Sequence, residues 1–241
     1  EWSSDVCSSD LEATTGPLGQ GIAMAVGMAI AEEKLAALYN KEDLKLVDHY
    51  TYALVGDGCL MEGISNEASS LAGTLKLDKL IVLYDSNKIS IEGSTDLAFS
   101  ENVCDRYKAL GWDTFVVNDG NDLDEINAAI EEAKKSDKPA LIEVKTKIGY
   151  GSPREDSAKA HGEPLGKEDR KSTREFFGLP DEDFHVAEDV KAHFQKIVEE
   201  NTAKVNEKKK IEEEYAAKYP KEYEDYLAAF KLEKKELLED S

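Results

Sequence analysis

Residues Lys79 to Asp85 read KLIVLYD, an unbroken apolar run of strand length with no polar alternation. A run of that kind is buried on both faces, as in an interior strand of a parallel sheet. The surrounding sequence predicts more strands of the same sheet. Tyr50 to Val55 reads as one, bounded by Gly56 and Gly58, with others at Asp113 to Val117 and Ala140 to Lys145. Helical periods lie between them. Ile22 to Leu38 places Ile22, Val26, Ala29, Ile30 and Ala37 on one side, and Ile64 to Leu75 is rich in small residues suited to close packing. Further helices are predicted near Val103 to Leu110 and over Leu123 to Lys134, behind the cap candidate Asp122. Strands alternating with helices define an α/β fold: a three-layer parallel sheet with right-handed crossovers and helices on both faces.

From Tyr150 the pattern changes. GYGSPREDSAKAHGEPLG is a long Gly, Pro and Ser segment without period, and uncovered loops of that length are functional or disordered. Beyond it Val190, Phe194, Ile197 and Val198, then Ile211, Tyr215 and Ala216, mark amphipathic helices, with Pro220 opening the last. Their charge runs read as solvated faces. At the other end, EWSSDVCSSD lacks the basic and apolar regions of a signal peptide. It reads as a non-native leader, the alternative being a frayed terminus. The expected organisation is a leader over 1–10, a sheet domain over 11–187 and a charged helical extension over 188–241.

Composition narrows the function. A chain of 241 residues with 41% hydrophobic content can bury a real core. Its 51 acidic against 30 basic residues, a net charge of -21, argue against nucleic acid and anionic membrane as partners. The sequence has no stretch of 18 apolar residues, the length from which a membrane-spanning helix is read. Cys7, Cys59 and Cys104 stand at no metal or disulfide spacing, which suits a reducing, cytoplasmic location.

Asp57 sits between two glycines just past the first strand, and Asn87 lies just past the second. Ligands of open parallel sheets bind beyond the carboxyl ends of the strands, and adjacent strands run about 4.8 Å apart. Two oxygen-bearing side chains at adjacent strand ends can therefore converge on one ion. Asp, Asn and a main-chain carbonyl are hard oxygen ligands, the set Mg or Ca prefers, with phosphate oxygens and water completing the shell. The flanking glycines allow close backbone approach and leave N–H groups free for phosphate. Taken alone, Gly56-Asp57-Gly58 is also an ordinary tight turn. Asp85 is an alternative carboxylate or a strand-end cap, and Cys59, with no partner His in its motif, reads as a small buried residue.

TTGPLGQGIAMAVGMA, GDGCLMEGISNEASSLAGTLKL, YDSNKISIEG, KTKIGYGSP and HGEPLG together resemble the transketolase family, specifically its diphosphate-binding domain. The resemblance runs from about Glu12 to the C-terminus. It implies the thiamine diphosphate-binding fold, with Asp57, the Asn87 side chain and the Ile89 main-chain carbonyl binding Mg (or Ca), which bridges the phosphates of thiamine diphosphate. Gly58 would contact the diphosphate; Gly16, Pro17 and Leu18 would shape the pyrimidine end; Ile91 would pack against the cofactor. Glu62 matches a family glutamate near the cofactor and subunit interface, although a glutamate favoured by a helix N-terminus reads equally well. His161 matches a histidine that reaches cofactor and sugar, and imidazole is suited to stabilising a developing alkoxide. His49, His185 and His193 match no motif and read as structural.

The implied reaction is transfer of a two-carbon ketol unit from a ketose phosphate to an aldose phosphate, the cofactor acting as electron sink. The family's upstream segment, with its further histidines, has no counterpart here. Nor does its pyrimidine-binding domain, whose activating glutamate comes from the other subunit of a homodimer. The 241 residues alone are therefore expected to be inactive, as part of a longer homodimeric enzyme or one of two chains. Three rivals stay open: a dihydroxyacetone synthase-like transferase, a noncatalytic metal- and phosphate-binding module, and an interaction protein using the acidic helical region.

Overall fold

The computed structural model describes residues 12–230; the leader expected over 1–10 and the end of the helical extension lie outside that range. In chain order the elements are α1 (Gln20–Tyr39), β1 (Thr51–Gly56), α2 (Asp57–Met61), α3 (Gly63–Leu75), β2 (Leu80–Ser86), β3 (Ile89–Ser90) and β4 (Gly93–Ser94). They continue with α4 (Val103–Ala109), β5 (Asp113–Val117), α5 (Leu123–Ala133), β6 (Ala140–Lys145), α6 (Lys159–Gly162), α7 (Gly166–Phe176), α8 (Glu188–Lys218) and α9 (Pro220–Phe230). They form two compact units. One holds the described residues through Ala31 and His49–Glu182; the other holds Glu32–Asp48 and the described residues from Asp183 onward.

The first unit is the expected α/β sheet. Four strands pair in parallel in the order β1-β2-β6-β5, so KLIVLYD supplies an interior strand. Alternate residues of β2 serve opposite faces. Leu80, Val82 and Tyr84 join a cluster with Ile22, Ala25, Val26 and Ala29 of α1, Ala72 of α3, and Val103 and Tyr107 of α4. Ile81 joins the other cluster with Val117, Ala133, Ile142 and Val144, against which Ile126, Ala129 and Ile130 of α5 pack. Helices on both faces explain why β2 carries no polar alternation. At the sheet edge the second face is uncovered, and Leu54 of β1 is 80% exposed.

Three features depart from the sequence reading. Asp57 opens the five-residue helix α2 and is not a loop residue, the two-residue strands β3 and β4 form an antiparallel hairpin, and the segment expected as unbroken loop contains α6 and ends where α7 begins. Residues Lys147 to Glu163 are tied down by polar contacts: Lys147 pairs with Glu155 at 3.2 Å and Arg154 with Asp169 at 2.8 Å.

The second unit is helical. Its core is Leu46, Val47 and Tyr215, ringed by Tyr39, Tyr219, Tyr223 and Tyr226. Tyr39 and Tyr226 meet edge to face at 5.4 Å between ring centres, and Lys41 pairs with Glu222 at 3.1 Å. The apolar positions expected to mark several helices lie on the single 31-residue α8, whose one buried residue is Tyr215. Pro220 opens α9 as expected. No helix among the described residues is long and apolar enough to cross a membrane.

The small residues of α3 bring α4 close. A Cβ on Gly73 would lie 1.8 Å from the Leu110 carbonyl oxygen, far inside van der Waals contact. In an exposed helix Gly→Ala is stabilising by about 0.5–1 kcal/mol. Here the clash reverses the sign. Gly73→Ala is expected to destabilise the protein by roughly 1–3 kcal/mol, as overpacking does; an unchanged or higher thermal midpoint would contradict the close approach.

Candidate functional site

β1 and β2 lie side by side with Val55 opposite Tyr84 and Gly56 opposite Asp85. That register sets the site. The chain leaving β1 turns at once into α2, so Asp57 stands over the end of β2, 4% exposed. The chain leaving β2 turns through Asn87 and Lys88 into the hairpin. Lys88 takes a left-handed conformation with φ 59°, and its N–H donates to Asp57 Oδ2 at 3.1 Å. Tyr84 Oη donates to Asp57 Oδ1 at 2.5 Å.

The electrostatics are unusual for a buried acid. Burial pushes the Asp57 carboxyl above its ordinary value, opposed by hydrogen bonds from Tyr84 and the Lys88 and Asn87 main chains; nearby Asp85 pushes it further up. Among the described residues no ion pair reaches Asp57. A buried carboxylate normally has a cationic partner or a metal. Asp57 has neutral donors and a second carboxylate as neighbour, an environment that a divalent cation would complete. Its oxygen-rich surroundings suit a hard ion.

The other predicted residues distribute as follows. Asn87 Oδ1 accepts from the Ile89 N–H at 3.0 Å and its Nδ2 donates to Asp85 at 3.3 Å, so its side chain braces the turn leading to Ile89 on β3. Ile91 is at the hairpin tip, 68% exposed. Gly58 follows Asp57 in α2, and a Cβ there would meet Leu18 Cδ1 at 3.2 Å. Gly16 and Pro17 are exposed in the same loop, which is seated by buried Gly19: φ is 79°, and a Cβ would lie 2.8 Å from Glu62 Cβ. The structure thus gathers the 16–19 loop, the start of α2, Glu62 and, through Lys88, the Asn87–Ile89 turn. Glu62 is exposed and caps α3 without a side-chain hydrogen bond. His161 is on a separate segment beyond β6, exposed in α6. Asp85 accepts from Thr146 Oγ1 and Asn87, tying the end of β2 to the exit of β6.

A polar cleft of about 340 Å³ opens beside Asp57, lined among others by Tyr84, Ser86, Lys88, Asn102 and Glu143. Glu143 accepts from Ser86 at 3.0 Å and from Cys104 Sγ at 3.4 Å. Burial and that carboxylate push the Cys104 thiol up to about 11, so it stays protonated and unreactive at neutral pH. Tyr84 was hidden in the sequence within an apolar run. The available signal is chemical: a tyrosine at the carboxyl end of a buried strand needs a partner for its hydroxyl.

The fold and site define a parallel α/β domain with a polar cleft beside a buried aspartate at its strand ends. The family described as "Transketolase, thiamine diphosphate binding domain" matches residues 5–234, and the chain belongs to it. It is 54% identical over 222 residues to the transketolase of Bacillus subtilis (strain 168), covering 91% of this chain and 32% of that one. It is 54% identical over 215 residues to the chloroplastic transketolase-1 of Arabidopsis thaliana, covering 88% and 29%. Among solved structures, transketolase from Leishmania mexicana superposes with TM-score 0.88 at 46% identity, covering 90% of this chain and 33% of that one. Pichia stipitis transketolase in complex with sedoheptulose-7-phosphate gives 0.87 at 46% identity, covering 90% and 32%. The chain thus spans about a third of the length of the relatives it matches.

Because burial raises the Asp57 carboxyl above its unfolded value, the folded chain takes up that proton more readily than the unfolded one. The cost of the buried charge is full at neutral pH and is lifted as pH falls through the carboxylate range. Without metal, Asp57→Asn is therefore expected to raise the thermal midpoint at pH 7, with the difference shrinking in acid. Urea or thermal unfolding across pH measures this, and a variant less stable at pH 7 would refute the reading.

Proposed function

We propose that this chain is the diphosphate-anchoring part of a transketolase that moves a two-carbon ketol unit from a ketose phosphate to an aldose phosphate. The observation that carries the reading is the buried Asp57, held by neutral donors beside Asp85 with no ion pair among the described residues. Asp57, the Asn87 side chain and the Ile89 main-chain carbonyl would hold Mg or Ca, and the ion would hold the diphosphate. Gly58 would sit against that diphosphate, and the amides opening α2, which have no intrahelical acceptor, suit its oxygens. Gly16, Pro17 and Leu18 would wall the pyrimidine end, and exposed Ile91 would pack against the cofactor. Bound thiamine diphosphate supplies the electron sink for cleavage of the sugar's carbon–carbon bond.

The chain's own contribution is orientation. The sheet fixes the two strand exits, whose residues would hold the diphosphate and so orient the cofactor. His161 would reach the sugar and hold or move a proton at its hydroxyl oxygen. Glu62 would lie near the cofactor and the subunit interface. The whole enzyme would be a homodimer, or would draw its pyrimidine-binding domain from a separate chain, in a reducing compartment such as the cytoplasm.

Calorimetry with thiamine diphosphate, with and without Mg, tests the reading. Binding is expected to require Mg and to be lost in Asp57→Ala; wild-type affinity in that variant would reject the metal assignment. These 241 residues with cofactor, Mg and a ketose–aldose pair are expected to show no turnover, and ordinary turnover would reject the anchoring role as the chain's whole contribution.

A further inference from the structure

We propose that Tyr84 is a positioning residue of this site: its hydroxyl fixes the plane of the Asp57 carboxylate, so that the metal-binding oxygens are aimed before any ion arrives. The inference rests on the reading of Asp57 as a metal ligand.

Three observations carry it. The first is the hydrogen bond itself, Tyr84 Oη to Asp57 Oδ1 at 2.5 Å, between groups 3% and 4% exposed. The second is where Tyr84 is held. Its ring belongs to the core cluster with Val55, Leu60 and Val103, and its backbone lies in β2, paired on one side with Val55 of β1 and on the other with Glu143 of β6. A hydroxyl mounted there is set by the sheet and not by a loop. The third is the division of labour at the carboxylate. The Lys88 N–H occupies Oδ2 and Tyr84 occupies Oδ1. The terminal torsion of an aspartate is soft, and one donor leaves the carboxylate free to turn about it. Two donors on different oxygens remove that freedom. An ionised carboxylate has about four lone-pair directions, so acceptor capacity remains for a cation.

The same strand ends at Ser86, directly before Asn87, so one rigid element aims the aspartate and launches the turn bearing the other expected ligands. Partners of this kind commonly matter to metal affinity almost as much as the ligands. Burial and the adjacent carboxylate also push the Tyr84 hydroxyl above the ordinary tyrosine range, which keeps it a donor.

The test is Mg-dependent binding of thiamine diphosphate to the full chain by calorimetry, for the unaltered protein, Tyr84→Phe, Asp57→Asn and the double variant. Tyr84→Phe keeps the ring and removes the donor. It is expected to weaken binding by roughly 10–100-fold. In the Asp57→Asn background the further change Y84F is expected to have no effect, because the carboxylate it aims is gone. If Asp57→Asn weakens binding and Tyr84→Phe does not, or if Y84F costs the same in both backgrounds, the positioning role is overturned while the metal site stands. If Asp57→Asn binds as the unaltered chain does, or the unaltered chain does not bind, the site reading fails and this inference with it. The unaltered chain gives a second readout that needs no variant to fold. The Tyr84 hydroxyl proton is expected as a downfield NMR resonance both before and after loading with Mg and thiamine diphosphate, and its loss on loading would overturn the role.

Discussion

A carboxylate withdrawn from water is expensive, and Asp57, at the rim of the sheet and 4% exposed, bears that cost. Its burial is imposed by the parallel register of β1 and β2, which stops the first strand beside the end of the second and turns the chain into α2 over it. The neutral donors around it reduce the cost without cancelling the charge. Negative charge at the rim of a sheet with no ion pair among the described residues is an environment that a cation would complete.

Support for this rim comes from the core. Because β2 is hydrogen-bonded on both sides and packed on both faces, Tyr84 and the exit toward Asn87 have few ways to move. The helices on the α1 face pack tightly enough that α3 needs glycine where it meets the end of α4. The Trp112 indole donates to the Ser69 carbonyl at 2.8 Å and Ser69 Oγ donates to Tyr107 Oη at 3.1 Å, so these three groups buried between the helices are satisfied. A scaffold of this stiffness turns a loose set of oxygen atoms into a directed one. The 16–19 loop is seated the same way, by the close approach of Gly19 to Glu62 and of Leu18 to Gly58.

Family membership and these physical arguments meet at the same residues. GDGCLMEG and YDSNKIS, both within the residues that match the family, are the two strand exits, and the geometry gives each a role. Asp57 supplies charge, and Lys88 accepts a left-handed backbone to aim its N–H. Such a backbone conformation in a non-glycine residue is costly and is kept where surrounding contacts enforce it.

The sequence by itself determined the sheet and the location of its chemistry. Unbroken apolar runs separated by helical periods have one economical solution, and an aspartate and an asparagine just past two successive strands must then lie at the same rim. It also marked α1, α3, α4 and α5, whose periods are long enough to read. Only the tertiary structure decided the finer parts. Five residues of α2 and two each of β3 and β4 are too short to carry a period, and α7 has almost no apolar residues to show one. The sequence signals that the Tyr84 hydroxyl needs a partner, but not that the partner is Asp57. That pairing depends on register between strands some thirty positions apart, and register is settled by packing, which no local stretch of sequence contains.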